Sequence, residues 1–334
     1  MRNCNSHQQE LNYVKSHAPL LRYVDGCDFE EWRNSVKEKL QELLGLPLES
    51  CEPMLEIEHT EKRDGYNEHK FTVQTEPGYF VPCYLLVPTL NKEKYPLTVC
   101  LSGHGGGMHV AAGIAKTEQD TSALTSWHHR AMGPRAIKDG RAALVIEARN
   151  FGESSLKGYG TSCTEASKIA ILMGRTTIGE RVSDAMRILD AVSMHFSEID
   201  MSDVACTGNS GGGTAAYYLA CLDERIGLAA PSCSICTYEA SIIAMQHCMC
   251  NHIPGIRKYF EMGDLAGLIA PRKLVVAAGM LDEIFPINAT RENFKQIEKI
   301  YLAAGAPDRC ALVVGDLGHL NYADLIWAKA AEMK

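Results

Sequence analysis

Asp203-Val204-Ala205-Cys206-Thr207-Gly208-Asn209-Ser210-Gly211-Gly212-Gly213-Thr214 is the stretch whose reading decides the fold. Val204 to Thr207 reads as a short buried strand and Thr214 to Leu222 as a helix. Between them, Gly208-Asn209-Ser210-Gly211-Gly212 fits G-x-S-x-G, a strand-to-helix turn that lifts a serine hydroxyl above the end of a sheet. So sharp a turn leaves no room for side chains beside the serine, and glycine removes the Cβ. The following helix N-terminus would aim positive charge density at a developing oxyanion. A glycine-rich turn can also serve packing alone, so the rest of the chain has to decide between the two.

The chain has 334 residues, enough for one large α/β domain with additions or for two domains. Apolar residues make up 46% and charged residues 22%, an ordinary balance for a globular protein. A net charge of −8 with no Lys/Arg cluster argues against a nucleic-acid partner. No apolar run approaches the roughly 18 residues of a membrane span. Met1 to Lys15 is polar and lacks the apolar centre of a secretory signal. Several of the thirteen cysteines (Cys83, Cys100, Cys206, Cys310) fall inside apparent strands, where a thiol is a small buried hydrophobe. These features set the expectation of reduced thiols and a cytoplasmic location.

Residues 1 to 25 show no clear period. Asp28 with Glu31 resembles a capping box, and Phe29, Trp32, Val36, Leu40 and Leu43 then recur at helical spacing until Gly45 and Pro47. From Met54 to Val87 the pattern becomes short alternating segments (Leu55–His59, Lys70–Gln74, Tyr79–Val87) with turns at Gly65 and Pro77-Gly78, which predicts antiparallel hairpins. After Pro88, strands alternate with helices: Leu97–Leu101, Ala142–Glu147, Val204–Thr207, Gly227–Ala230, Lys273–Ala278 and Cys310–Val314. That alternation predicts a mostly parallel sheet covered on both faces. There is no internal repeat and no low-complexity segment.

Three further stretches follow strands of this set. Ser102-Gly103-His104-Gly105-Gly106-Gly107 leaves an early strand, where side-chain-free backbone can turn amides toward a substrate carbonyl. It completes neither a phosphate-loop nor a dinucleotide motif. Asp282 and Glu283 stand beyond Lys273–Ala278, before Phe285-Pro286; Asp282 is the preferred acid and Glu283 the fallback. His319 follows the last strand in Gly315-Asp316-Leu317-Gly318-His319. His319 stands 37 positions after Asp282, room for one helix and one strand. Singly, each stretch suits a structural role; together, at successive strand ends and in the order nucleophile, acid, base, they favour catalysis.

With these residues the chain resembles the α/β-hydrolase superfamily, in its dienelactone-hydrolase-like and acetyl-xylan-esterase-like branch. Ala148-Arg149-Asn150-Phe151-Gly152-Glu153-Ser154 looks like the D-x-R-G-x-G-x-S stretch of many members. Gly174 to Arg181 with Asp184, His247 to Gly255, and Leu268 to Arg272 are similar to segments of the esterase branch. The likeness covers roughly residues 50 to 330. Two departures stand out: Ser102 occupies the place where a His-Gly dipeptide commonly opens the oxyanion loop, and dienelactone hydrolases carry a cysteine where this elbow holds Ser210.

The resemblance implies an α/β-hydrolase fold over residues 51–334, with a helical extension over 1–50 and a lid-like insertion at about 233–265. It also implies cleavage of a small-acyl or acetyl ester, on a carbohydrate alcohol in one form of the reading, through an acyl-enzyme on Ser210. His319 would be the base and Asp282 its partner, with the amides of Gly211 and of His104 or Gly105 holding the oxyanion. A peptidase or amidase, an acyltransferase, and a non-catalytic binding protein are the alternatives. The expected partner is a small-molecule ester, and a homo-oligomer is left open. No cofactor is expected. Neither is a metal: His247, Cys248, Cys250 and His252 are soft ligands, but they crowd one short stretch without a second pair at zinc-ribbon spacing. His128 and His129 give a weaker signal of the same kind. Arg149 and Glu153 read as a structural pair behind the elbow.

Overall fold

In the computed structural model, which describes residues 4–126 and 130–333, the long apolar runs after Pro88 lie side by side as buried strands. The strands are β1 (Leu55–Arg63), β2 (Tyr66–Glu76), β3 (Tyr79–Pro88), β4 (Tyr95–Leu101), β5 (Ala142–Ile146), β6 (Ile199–Asn209), β7 (Ile226–Ser232), β8 (Lys273–Gly279) and β9 (Cys310–Gly315). They form one sheet in the order β1-β2-β3-β5-β4-β6-β7-β8-β9. β1, β2 and β3 are an antiparallel meander, β3 runs antiparallel to β5, and the strands from β5 to β9 are parallel. Val99 pairs with Leu144 on one side and Cys206 on the other, which aligns the carboxyl ends of the central strands along one edge.

Alternate side chains of these strands enter different cores. Leu97, Val99, Leu144, Val204 and Leu274 are buried against the helices Thr177–His195, Gly211–Leu222 and Ile287–Ala303. Cys100, Ala143 and Val145 pack with Met132 and Ala136, and Val275 and Ala277 with Ile326 and Ala330, on the opposite face. Both faces are covered, so the strands carry no polar alternation.

The helix Phe29–Leu44 starts where Asp28 Oδ1 accepts the Glu31 amide at 3.0 Å, and stops at Gly45, whose φ of 73° is left-handed. It buries Trp32, Val36, Leu40 and Leu44. Leu44, not Leu43, completes the stripe, one position later than the spacing suggests. Ahead of it lies a helix the sequence does not advertise, Ser6–Ser16, capped by Asn5. It buries none of its residues, and without a buried face there is no apolar period to read. For the same reason β1 runs on to Arg63: its burial is slight along the whole length, so only pairing with β2 defines it. No helix among the described residues is long and apolar enough to cross a membrane.

Candidate active site

β6 ends at Asn209, and the helix Gly211–Leu222 begins two residues later. Ser210, between them, has φ 57° and ψ −126°, a backbone state that residues with a Cβ rarely hold. Neighbouring structure fixes it there: the Ser210 amide donates to Ser232 O at 2.9 Å, and the Thr214 amide donates to Ser210 O at 2.9 Å. The flanking glycines are dictated by close approach. A Cβ on Gly208 would lie 2.4 Å from the Gly212 carbonyl, and one on Gly212 would lie 2.0 Å from Leu101 O.

Beyond β8, Asp282 is buried and Glu283 is exposed. Asp282 Oδ2 lies 2.9 Å from His319 Nδ1, while Oδ1 accepts the Ile284 amide at 2.8 Å and the Phe285 amide at 3.0 Å. Burial alone would raise the Asp282 carboxyl. Its hydrogen bond and charge interaction with His319, with the two amides, hold it below the ordinary value instead. The Phe285 ring stacks on the His319 imidazole, with centroids 5.8 Å apart and planes 14° from parallel. The imidazole is thus held along one edge and one face.

Ser210 and His319 line one cavity of about 410 Å³. Its walls are the 102–107 loop after β4, Met245 to Cys248, and the stretch from His319 to Asn321. Gly103 is pressed onto the elbow, where a Cβ would meet Asn209 O at 2.6 Å and Ser210 Cβ at 3.5 Å. The His104 ring lies against Gly211, with Cε1 3.2 Å from where a Gly211 Cβ would stand. Gly105 faces the Arg130 guanidinium. Ser102 Oγ and Asn209 Oδ1 are buried at this cavity with no hydrogen-bond partner among the described residues, polar atoms that an incoming ligand can satisfy.

Glu147 is a contributor that sequence reasoning missed. It follows β5, is buried, and accepts the Met108 amide at 3.0 Å and the Glu153 amide at 3.1 Å. It therefore ties the end of the 102–107 loop to the turn at Gly152. Desolvation pushes its carboxyl up to about 7. Arg149 and Glu153 do not pair with each other. Arg149 binds Asp184 at 2.7 and 2.8 Å and Glu76 at 2.5 Å, whereas Glu153 binds Lys70 at 3.0 Å and Lys116 at 2.7 Å. The two side chains, four residues apart, instead meet opposite charges on other elements.

The soft ligands are also regrouped. His247 Nδ1 is 3.2 Å from Asn251 Nδ2, and His252 Nδ1 is 3.1 Å from the Cys248 carbonyl. Cys248 and Cys250 gather instead with His104 and Cys163. His128 and His129 lie outside the described residues.

An eight-step run of mostly parallel strands, an elbow after β6, an acid after β8 and a histidine after β9 define an α/β-hydrolase. The chain belongs to the abhydrolase family, whose model matches residues 7–312. It is 25% identical over 252 residues to the Bacillus subtilis (strain 168) protein named "Putative hydrolase YtaP", covering 72% of this chain and 79% of that one. Among solved structures it is similar to a Bacteroides fragilis "putative acetyl xylan esterase" (TM-score 0.77, 18% identity, 94% of this chain and 83% of that one). It is also similar to a methylesterase (TM-score 0.69, 22% identity, 99% and 68%). A third is a glucuronoyl esterase from Solibacter usitatus (TM-score 0.67, 13% identity, 94% and 97%).

Proposed function

We propose that this chain is a serine esterase that cleaves small-acyl carboxylic esters, with the alcohol part a carbohydrate. The observation that carries the reading is Ser210 held at φ 57° in the same cavity as a histidine bonded to a buried aspartate. Strain of this kind persists where surrounding structure enforces it, and it leaves the hydroxyl projecting from the turn. Ser210 attacks the acyl carbon while His319 takes the hydroxyl proton on Nε2. Asp282 keeps the proton of Nδ1 facing itself and stabilises the imidazolium. The Gly211 amide, at the first position of a twelve-residue helix, and an amide of the 103–105 loop receive the oxyanion. Each such donor is worth about 3 kcal/mol of barrier. His319 then returns the proton to the leaving alkoxide, and water, deprotonated by the same imidazole, attacks the acyl-enzyme.

The substrate class rests on the cavity and on the company the fold keeps. One structure similar to this chain is named for acetyl xylan ester cleavage, a small acyl group on a carbohydrate alcohol, and others are named more broadly as a methylesterase and a glucuronoyl esterase. The cavity is bounded by the 102–107 loop on one side and by residues 245–248 of the intervening segment on the other, and among the described residues no edge strand of the sheet lines it for a peptide backbone to join. The test is kcat/KM for acetyl, butyryl and octanoyl p-nitrophenyl esters and acetylated sugars, beside chromogenic dipeptide amides. The acetyl esters are expected to be fastest. Faster turnover of the amides, or rates rising steadily to octanoyl, would reject the reading.

A further inference from the structure

We propose that His104, Cys163, Cys248 and Cys250 form a structural zinc site beside the active-site cavity. One ligand atom from each lies within 4.8 Å of every other. His104 Nε2 is 3.6 Å from Cys163 Sγ and 3.5 Å from Cys250 Sγ, and the sulfurs of Cys248 and Cys250 are 3.4 Å apart. Zinc–sulfur bonds of about 2.3 Å and a zinc–nitrogen bond of about 2.0 Å, set at tetrahedral angles, put nitrogen about 3.5 Å from sulfur and sulfurs about 3.8 Å apart. These three edges match such a tetrahedron to within about 0.4 Å, and the remaining three are no longer than 4.8 Å. Three thiolates and one imidazole are a donor set that favours zinc among the common divalent ions.

The charge balance supplies an independent reason. Arg181 is buried and has no carboxylate partner among the described ion pairs. Its guanidinium lies over the Phe151 ring at 4.3 Å, donates to the Arg149 carbonyl, and reaches Cys163 Sγ at 3.5 Å. A buried cation needs a counter-charge. Three thiolates around a dication carry one net negative charge, which Arg181 neutralises. Neutral thiols would leave the guanidinium facing only dipoles. The Phe151 ring packs on His104 with centroids 4.9 Å apart and holds the imidazole, and the partly exposed Cys248 lines the cavity and gives an ion its entry.

The site reverses the expectation of no metal. That expectation judged four ligands in one stretch, but only Cys248 and Cys250 come from it; Cys163 opens the helix Cys163–Leu172, and His104 comes from the loop after β4. An ion here would pin the loop that carries His104 and, through its ring, the space over Gly211. The role is anchoring, and it holds whether or not Ser210 is the nucleophile.

The test uses the full chain without a histidine tag, purified from zinc-supplemented cells and passed over a chelating resin. Elemental analysis is expected to give about one zinc per chain. Cobalt exchanged into the site should show the thiolate charge-transfer band and strong visible bands of a tetrahedral thiolate complex. Cys250→Ser and His104→Gln should cut metal content at least about tenfold, while Ser210→Ala retains it. If the variants do not fold, the cobalt spectrum of the wild type decides. Folded wild type holding less than roughly a tenth of an ion per chain, with no tetrahedral cobalt spectrum, would overturn the site. So would peptide mapping that finds these cysteines joined in a disulfide.

Discussion

Asp282 and Glu283 are neighbours in sequence and opposites in setting. Asp282 is buried with both carboxylate oxygens engaged, two amides on one and His319 on the other, whereas Glu283 is exposed. Asp282→Asn keeps the shape but presents an amide to Nδ1 and favours the wrong imidazole tautomer. Steady-state kinetics should show a fall in kcat of about 10⁴-fold, with Glu283→Gln close to wild type. A crippled Glu283→Gln beside an active Asp282→Asn would move the acid by one residue. At this scale the sequence was legible wherever chemistry follows a strand end. Ser210, Asp282 and His319 each stand just beyond one, so position along the chain already implied a shared edge. Cys163 and Glu147 were not legible. One is a lone thiol at the start of a helix and the other the polar residue that ends an apolar run, and their partners are set only by three-dimensional packing.

Among the elements, the 102–107 loop depends on β5 through Glu147. In the unfolded chain this carboxyl titrates near 4.5, and in the fold at about 7, because burial disfavours its charged form. Below pH 4.5 both states are protonated and the group's stabilising contribution is complete. As pH rises through 7, the native protein must ionise a desolvated carboxyl and that contribution is lost, on the order of 3 kcal/mol in all. Denaturant titrations from pH 5 to 8 should therefore show wild type losing more stability than Glu147→Gln over the interval. Parallel profiles would contradict the shift, whatever the constant offset between the two proteins. The elements with a buried face were readable in the same way as β6: Phe29–Leu44 has its apolar stripe and its cap, and the central strands have their continuous runs. Ser6–Ser16 and the outer half of β1 bury almost nothing, so neither period could mark them.

The whole molecule converts chain order into proximity. Parallel strands present their carboxyl ends on one edge, and the order β4-β6-β7-β8-β9 brings the glycine loop, the elbow, the acid and the histidine to that edge in sequence. Strand–helix alternation predicts the parallel sheet, and a parallel sheet puts Ser210, Asp282 and His319, each just past a strand, at one edge. The gathering of thiols around His104 depends on how three loops cross above the sheet, and alternation carries no information about that. The central claim is that one hydroxyl in the chain is activated, and it is tested most directly by a fluorophosphonate probe read out by intact-mass analysis. Thirteen cysteines and many other serines offer competing sites. Only a hydroxyl strained out of its turn and paired with a base should react quickly. A single adduct per chain, mapped to Ser210 and absent from Ser210→Ala, is the predicted result. Equal labelling of wild type and Ser210→Ala would contradict it.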